Sequence, residues 1–244
     1  MVNTVNNFTM IESSYGKFVV NRHCAFQAEH LIKTGVPHIE SELRPMLAVV
    51  DTLVPGSIVV DAGANVGLVS VPIAQAVKTK DIVVHAFEVQ RMMFYALCGA
   101  AALNDLDNLV VHHLGVGARN EELMVPMVNY GTPQDFGTLS LTGQSAEGTG
   151  EVVSIVALDN FDLPRLDFLK IDIEGMEVEA LHGARHMIKT YQPWCWVEYW
   201  ISGIDAIRRE FDGVPYDFYR MDQLNMLCAP RSRNVGIHIG GERL

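Results

Sequence analysis

Residues Val59 to Gly67, reading Val-Val-Asp-Ala-Gly-Ala-Asn-Val-Gly, restrict what this chain can fold into more than any other stretch. A Pro55-Gly56 turn precedes them, and the apolar, β-branched run through Ile58, Val59 and Val60 predicts a short buried strand from Ser57 to Asp61. From Leu68 onward, Val69, Ile73, Ala76 and Val77 recur on one helical face. The glycine-rich turn therefore joins the carboxyl end of a strand to the amino terminus of a helix. In open α/β sheets that is where ligands are held.

The chemistry of the turn narrows the ligand. Gly63 and Gly67 permit a tight bend and a close backbone approach, but their spacing is Gly-x-x-x-Gly, a poor fit to the dinucleotide pattern Gly-x-Gly-x-x-Gly. Asp61, a carboxylate at the strand end, repels a pyrophosphate and attracts a cation. S-adenosyl-L-methionine places an ammonium and a sulfonium there. Glycine spacing alone leaves a ligand-free turn equally open, so later segments decide.

At 244 residues and 49% hydrophobic composition the chain reads as a single domain over 1-244. An amino-terminal arm and covering helix occupy 1-54, a cofactor-binding core 55-200, and a carboxyl-terminal helix and hairpin 201-244. The formal net charge of −11 argues against nucleic acid and against an anionic membrane as partners. The segment Met1 to Ser14 is polar and Asn-rich, and no apolar run reaches membrane-spanning length. Cys24, Cys98, Cys195 and Cys228 are scattered without metal spacing, which reads as free thiols in the cytoplasm. Oligomeric state is left open.

Taken in order, Leu43, Met46, Leu47, Val50 and Leu53 predict a helix covering one sheet edge. Ile82 to Phe87 is a second strand, and Glu88 at its end occupies the position of a ribose-binding acid. Met92 to Leu103 is a helix and Leu109 to Leu114 a third strand, followed by Gly115-Val116-Gly117, a small-residue turn suited to an adenine edge. These units predict a doubly wound, parallel sheet. Glu122 to Met127 and Glu151 to Ala157 are further strands; Asn129 to Gly150 between them is equally a lid or a mobile insertion.

The second site signal is Asp167 to Gly175, Asp-Phe-Leu-Lys-Ile-Asp-Ile-Glu-Gly. Phe168 to Ile171 has the composition of a central strand, placing Asp172 and Glu174 beside the first turn, where carboxylates can orient a hydroxyl or take its proton. Glu174 is equally a cap for a helix from Met176 to Lys189. Trp194 to Tyr199 brings Glu198 and Tyr199 to the same rim. His182 and His186 stand four apart but lack a third ligand, so no metal is expected. Tyr216 to Met221 and Leu224 to Ala229 form a closing hairpin that Asn234 to Ile239 extends.

Asp-Ala-Gly-Ala-Asn-Val-Gly, Ala86-Phe87-Glu88, Gly115-Val116-Gly117, Leu158-Asp159, and Phe168-Leu-Lys-Ile-Asp-Ile-Glu-Gly-Met-Glu with Ala180-Leu-His-Gly-Ala184 together resemble the FkbM-type S-adenosylmethionine-dependent methyltransferases over roughly residues 40 to 200. The resemblance implies a mostly parallel, Rossmann-like sheet of seven strands, one antiparallel, with helices on both faces, and usually O-methylation of a small molecule or glycan. Val89-Gln90-Arg91 departs from the family, which often carries Pro after the ribose acid. On this reading Asp61, Gly63, Asn65 and Gly67 hold the methionine end, Glu88 the ribose, and Gly115 and Val116 the adenine. Asp172 lies near the methyl group, with Glu174 or Glu198 as base. The rival readings are a non-catalytic module that binds the adenosyl cofactor and an NAD-dependent oxidoreductase.

Overall fold

The computed structural model describes residues 6–142, 149–233 and 239–244. An antiparallel hairpin, β1 (Phe8–Ser13) and β2 (Gly16–Asn21), precedes helices α1 (Ala25–Thr34) and α2 (Glu40–Asp51). Strands and helices then alternate: β3 (Ile58–Ala62), α3 (Ser70–Val77), β4 (Val83–Phe87), α4 (Arg91–Leu103) and β5 (Leu109–His112). Strands β6 (Gly115–Val116), β7 (Glu121–Pro126) and β8 (Gly150–Val156) form a small sheet of their own. The remainder is β9 (Phe168–Ile171), α5 (Glu177–His182), α6 (Arg185–Tyr191), β10 (Trp194–Glu198), α7 (Ile204–Arg209), β11 (Tyr216–Arg220), β12 (Asn225–Pro230) and β13 (Glu242–Arg243).

The main sheet runs β13-β11-β12-β10-β9-β3-β4-β5. Strands β10, β9, β3, β4 and β5 are mutually parallel, and β12 lies antiparallel to β10. The sheet has eight strands rather than seven because the tail returns to the outer edge, pairing Tyr219 with Arg243 and Arg220 with Glu242. Two charged residues carry no strand signal in sequence. Because β13 is antiparallel to β11, two strands run against the rest instead of one.

Strand alternation divides the core between the two faces. Val59, Val84, Phe168, Trp194 and Trp196 pack with α2, α3, α4 and the β1-β2 hairpin, whereas Val60, Leu169, Ile171 and Cys195 pack with α5, α6 and α7. Each such large side chain withdrawn from water contributes about 1.5–3 kcal/mol before chain entropy is counted. No described helix is long and apolar enough to cross a membrane.

Two local expectations change. The helix over Met176 to Lys189 is two helices, because the chain breaks at Gly183, where an added Cβ would lie 2.0 Å from the Gly117 carbonyl oxygen. Asp159 then starts α6, accepting the N–H groups of His186 and Met187 at 2.8 and 2.9 Å. His182 and His186 consequently sit on different helices. Gly115-Val116 is a strand rather than a turn, paired in parallel with Ile155-Val156. The proposed extension from Asn234 lies, as far as residue 238, outside the described residues.

Candidate active site

Beyond the carboxyl ends of β3, β4 and β9 lie two cavities with a common wall of Gly63, Asn65, Gly137, Asp172 and Glu174. One is a slot of about 60 Å³. The other is a wider cleft of about 390 Å³.

The slot is shaped by the two turns after β3 and β4. Gly63 adopts φ +82°, and a Cβ there would stand 1.9 Å from the backbone oxygen of Asp172, so only glycine lets β3 and β9 close this corner. Glu88, 4% exposed, joins the turns: Oε2 accepts the Asn65 N–H at 2.8 Å and Oε1 the Gln90 N–H at 2.7 Å. Burial pushes its pKa up to about 7, against the pull of those N–H groups. The apolar end is made by Phe87, Leu114, Val116, Ile155 and Met176. Gly115 also lines it, leaving room that Ile155 Cδ1 fills, 2.4 Å from where a Cβ would be. Gly137, Leu139 and Leu141 cover the slot from the segment after β7. That segment is tied down by Gln90 Nε2 donating to the Phe136 carbonyl at 2.6 Å and by Ser140 Oγ donating to the Glu174 carbonyl.

Asp61 and Gly67 line neither cavity. Asp61 is fully buried; its Oδ2 accepts the Ser70 hydroxyl and its Oδ1 lies 3.2 Å from Lys170 Nζ. The cation that its position calls for is thus supplied by the chain itself. Lys170, 5% exposed, also donates to the Gly63 carbonyl at 3.1 Å and lies 3.4 Å from Asp172 Oδ2. Burial opposes its charge, but Asp172 and Asp61 outweigh burial and raise its pKa. Gly67, at φ +89°, makes room for α4: a Cβ would meet Leu97 Cδ1 at 2.4 Å.

In the cleft, carboxylate oxygens of Asp172, Glu174 and Glu198 lie within 4.8 Å of one another. Burial, followed by repulsion from Asp172, pushes Glu174 up to about 7 and Glu198 to about 8. Glu198 Oε2 is buried without a hydrogen-bond partner among the described residues. Glu174 does not cap the following helix. Glu177 orders that turn instead, its Oε1 accepting the N–H groups of Ile173 and Gly175 at 3.2 and 2.9 Å. Tyr199 turns away, donating its hydroxyl to the Asp222 carbonyl at 2.9 Å.

Sequence reasoning missed Lys170, Glu177 and Glu42. A charged residue inside the apolar strand Phe168–Ile171 was the available signal for Lys170. Glu42 had none beyond its place in the first turn of α2; it lines the cleft, and its Oε2 accepts Asn225 Nδ2 at 3.1 Å. Asn225 Oδ1 in turn accepts Trp196 Nε1 at 3.1 Å. Burial, then Asp222 and Asp172, push Glu42 to about 7. The cleft therefore carries five carboxylates, Glu42, Asp135, Asp172, Glu174 and Glu198, against Lys170, already paired with Asp61 and Asp172.

Several solved structures are similar to this chain at low sequence identity. Wild-type Trm5b from Pyrococcus abyssi is similar with a TM-score of 0.53 at 12% identity, over 91% of this chain and 55% of that one. Methyltransferase FkbM from Methylobacillus flagellatus KT gives a TM-score of 0.49 at 19% identity, over 71% of this chain and 43% of that one. The Pyrococcus abyssi tRNA (uracil-54, C5)-methyltransferase gives 0.49 at 10% identity, over 92% and 44%. The chain thus spans about half the length of these structures. No curated protein matches it by sequence. The fold is a Rossmann-like α/β methyltransferase fold around a mixed sheet of eight strands. Residues 61–227 match the methyltransferase FkbM domain, so the chain belongs to that family of S-adenosylmethionine-dependent methyltransferases.

Proposed function

We propose that this chain transfers a methyl group from S-adenosyl-L-methionine to a hydroxyl of a small molecule or glycan. The observation that carries the reading is the common wall: a ligand in the slot and a ligand in the cleft meet at Gly63, Asn65, Asp172 and Glu174. Such juxtaposition is most of what this chemistry asks of a protein. When bound, S-adenosylmethionine supplies an already electrophilic methyl group on sulfonium.

The residues fit that donor. Glu88 retains lone pairs beyond its two N–H bonds and accepts the ribose hydroxyls. Leu114, Gly115 and Val116 flank the adenine. Gly63 and Asn65 shape the methionine end, and the carboxylate of Asp172, 42% exposed, faces its ammonium. Asp61 and Gly67 act one layer back: Asp61 fixes Lys170, which steadies Asp172, and Gly67 seats α4.

An aliphatic hydroxyl is scarcely ionised at neutral pH and needs a base. Glu198 fills that role through its unpartnered oxygen and its pKa near 8; Glu174 is the second candidate. The five carboxylates of the cleft favour a neutral or cationic acceptor over an anionic one. Together with the net charge of −11 they disfavour nucleic acid.

Calorimetric titration with S-adenosylmethionine, S-adenosylhomocysteine and NAD, followed by transfer assays against hydroxylated acceptors, tests the reading. The expected result is saturable binding of both adenosyl ligands, none of NAD, and a loss in kcat of roughly 10²- to 10⁴-fold for Glu198→Gln. Donor binding without transfer to any acceptor would indicate a binding module, and binding of NAD alone an oxidoreductase.

A further inference from the structure

A second polar site lies at the opposite end of the same strands. Asp167 immediately precedes β9 and is buried, its side chain 1% exposed. Its carboxylate is saturated. Oδ1 accepts Arg165 Nη2 at 2.6 Å and Arg233 Nη1 at 2.9 Å, and Oδ2 accepts Arg165 Nε at 2.7 Å and the Ile58 N–H at 3.0 Å. A bidentate Arg165 already neutralises this acid, so Arg233 leaves the cluster with one positive charge in excess. Arg233 Nη2 donates to the Tyr191 carbonyl at 2.8 Å; the other N–H groups of both guanidinium groups have no acceptor among the described residues.

These groups border a cavity of about 420 Å³ whose apolar walls include Leu53 and Trp194. Ser57 lines the same cavity. It is 1% exposed, and its Oγ is buried with no hydrogen-bond partner among the described residues. A buried hydroxyl without a partner is costly, and one beside two guanidinium groups is a ready donor to an anion. The chain as a whole is strongly acidic, so a local positive excess around a concave, partly apolar cavity is not a general surface property.

We propose that this cavity binds a phosphate-type oxyanion, held by Arg165 and Arg233 and by a hydrogen bond from Ser57 Oγ. Guanidinium forks match tetrahedral oxyanions, and the volume beside them accommodates a small organic group attached to the phosphate. The site is independent of the donor slot and does not rest on the methyl-transfer reading.

The test is calorimetric titration of the full chain, in a low-salt Hepes-chloride buffer, with inorganic phosphate and separately with phenyl phosphate. The expected result is one saturable site per chain. Arg233→Gln and Ser57→Ala should each weaken it, the arginine variant by on the order of tenfold or more, while S-adenosylhomocysteine binding stays unchanged. Ser57→Ala leaves all the ion pairs of Asp167 in place and removes an unpartnered buried hydroxyl, so its unliganded melting temperature should equal or exceed that of the wild type even if Arg233→Gln folds poorly. Tighter binding of phenyl phosphate would support an organic phosphate as the occupant, and tighter binding of inorganic phosphate the free ion. Absence of saturable binding by either probe, or undiminished binding in Ser57→Ala and Arg233→Gln, would overturn the proposal.

Discussion

Glu88 is held by two backbone N–H groups while being almost wholly withdrawn from water, so its charge serves two turns at once. Replacing it by Gln removes charge-assisted bonds worth roughly 1.5–3 kcal/mol. We expect Glu88→Gln to weaken S-adenosylhomocysteine binding by about ten- to a hundredfold while circular dichroism stays native; unchanged affinity in a folded variant would remove Glu88 from the ribose site. At Gly63 the expected effect is larger. Gly63→Ala combines a left-handed backbone with a Cβ driven into Asp172, and should cost at least about 2–4 kcal/mol by urea unfolding. If Glu198 is the base, the transfer rate rises with pH through about 8, and Glu198→Gln loses that limb of the profile.

At the scale of elements, Gly137, Leu139 and Leu141 of the segment after β7 line the slot. Leu141 packs with Leu123, Val125, Val153 and Ile155 of the small sheet, pinning the segment over the cavity. Leu141→Ala should loosen it and speed dissociation of S-adenosylhomocysteine by about tenfold in stopped-flow measurements; an unchanged rate would mean that this packing does not limit exit. The sequence made the strands and the two glycine corners readable because β3, β4 and β9 are short apolar runs that end in a turn or an acid. It did not make the interruption at Gly183 readable, since that break answers a contact with Gly117, far away in sequence. The same holds for Glu42, which enters the cleft through the packing of α2 and a bond to Asn225. Tertiary contacts of this kind leave no periodic trace.

Across the whole molecule, clustered acids set the response to pH. Glu42, Glu88 and Glu174 titrate near 7 and Glu198 near 8 in the folded chain, against 4.5 for an ordinary Glu. The folded chain keeps these protons after the unfolded chain has released them. Their stabilising contribution is therefore full below about 4.5 and is lost as pH rises through 7 to 8. His85 has the opposite sign: burial and the neighbouring His112 lower it to about 4 from 6.5, so stability is lost as pH falls below 6.5. The melting temperature should accordingly decline from pH 6.5 to 8.5, and Glu198→Gln should shallow that decline. A flat profile would show that burial and the neighbouring carboxylates do not hold these acids above their ordinary range.

The wall common to slot and cleft also constrains how this enzyme family member can diversify. Gly63, Asn65, Asp172 and Glu174 line both cavities, so under the proposed function a change there alters donor retention and acceptor choice together. Phe26, His38, Glu42 and Leu224 border the cleft alone. Three of these four precede residue 61, where the match to the FkbM domain begins. Under the proposed function, selection, or an engineer recombining amino-terminal segments between relatives, can rewrite acceptor preference from that side while the donor machinery is inherited intact.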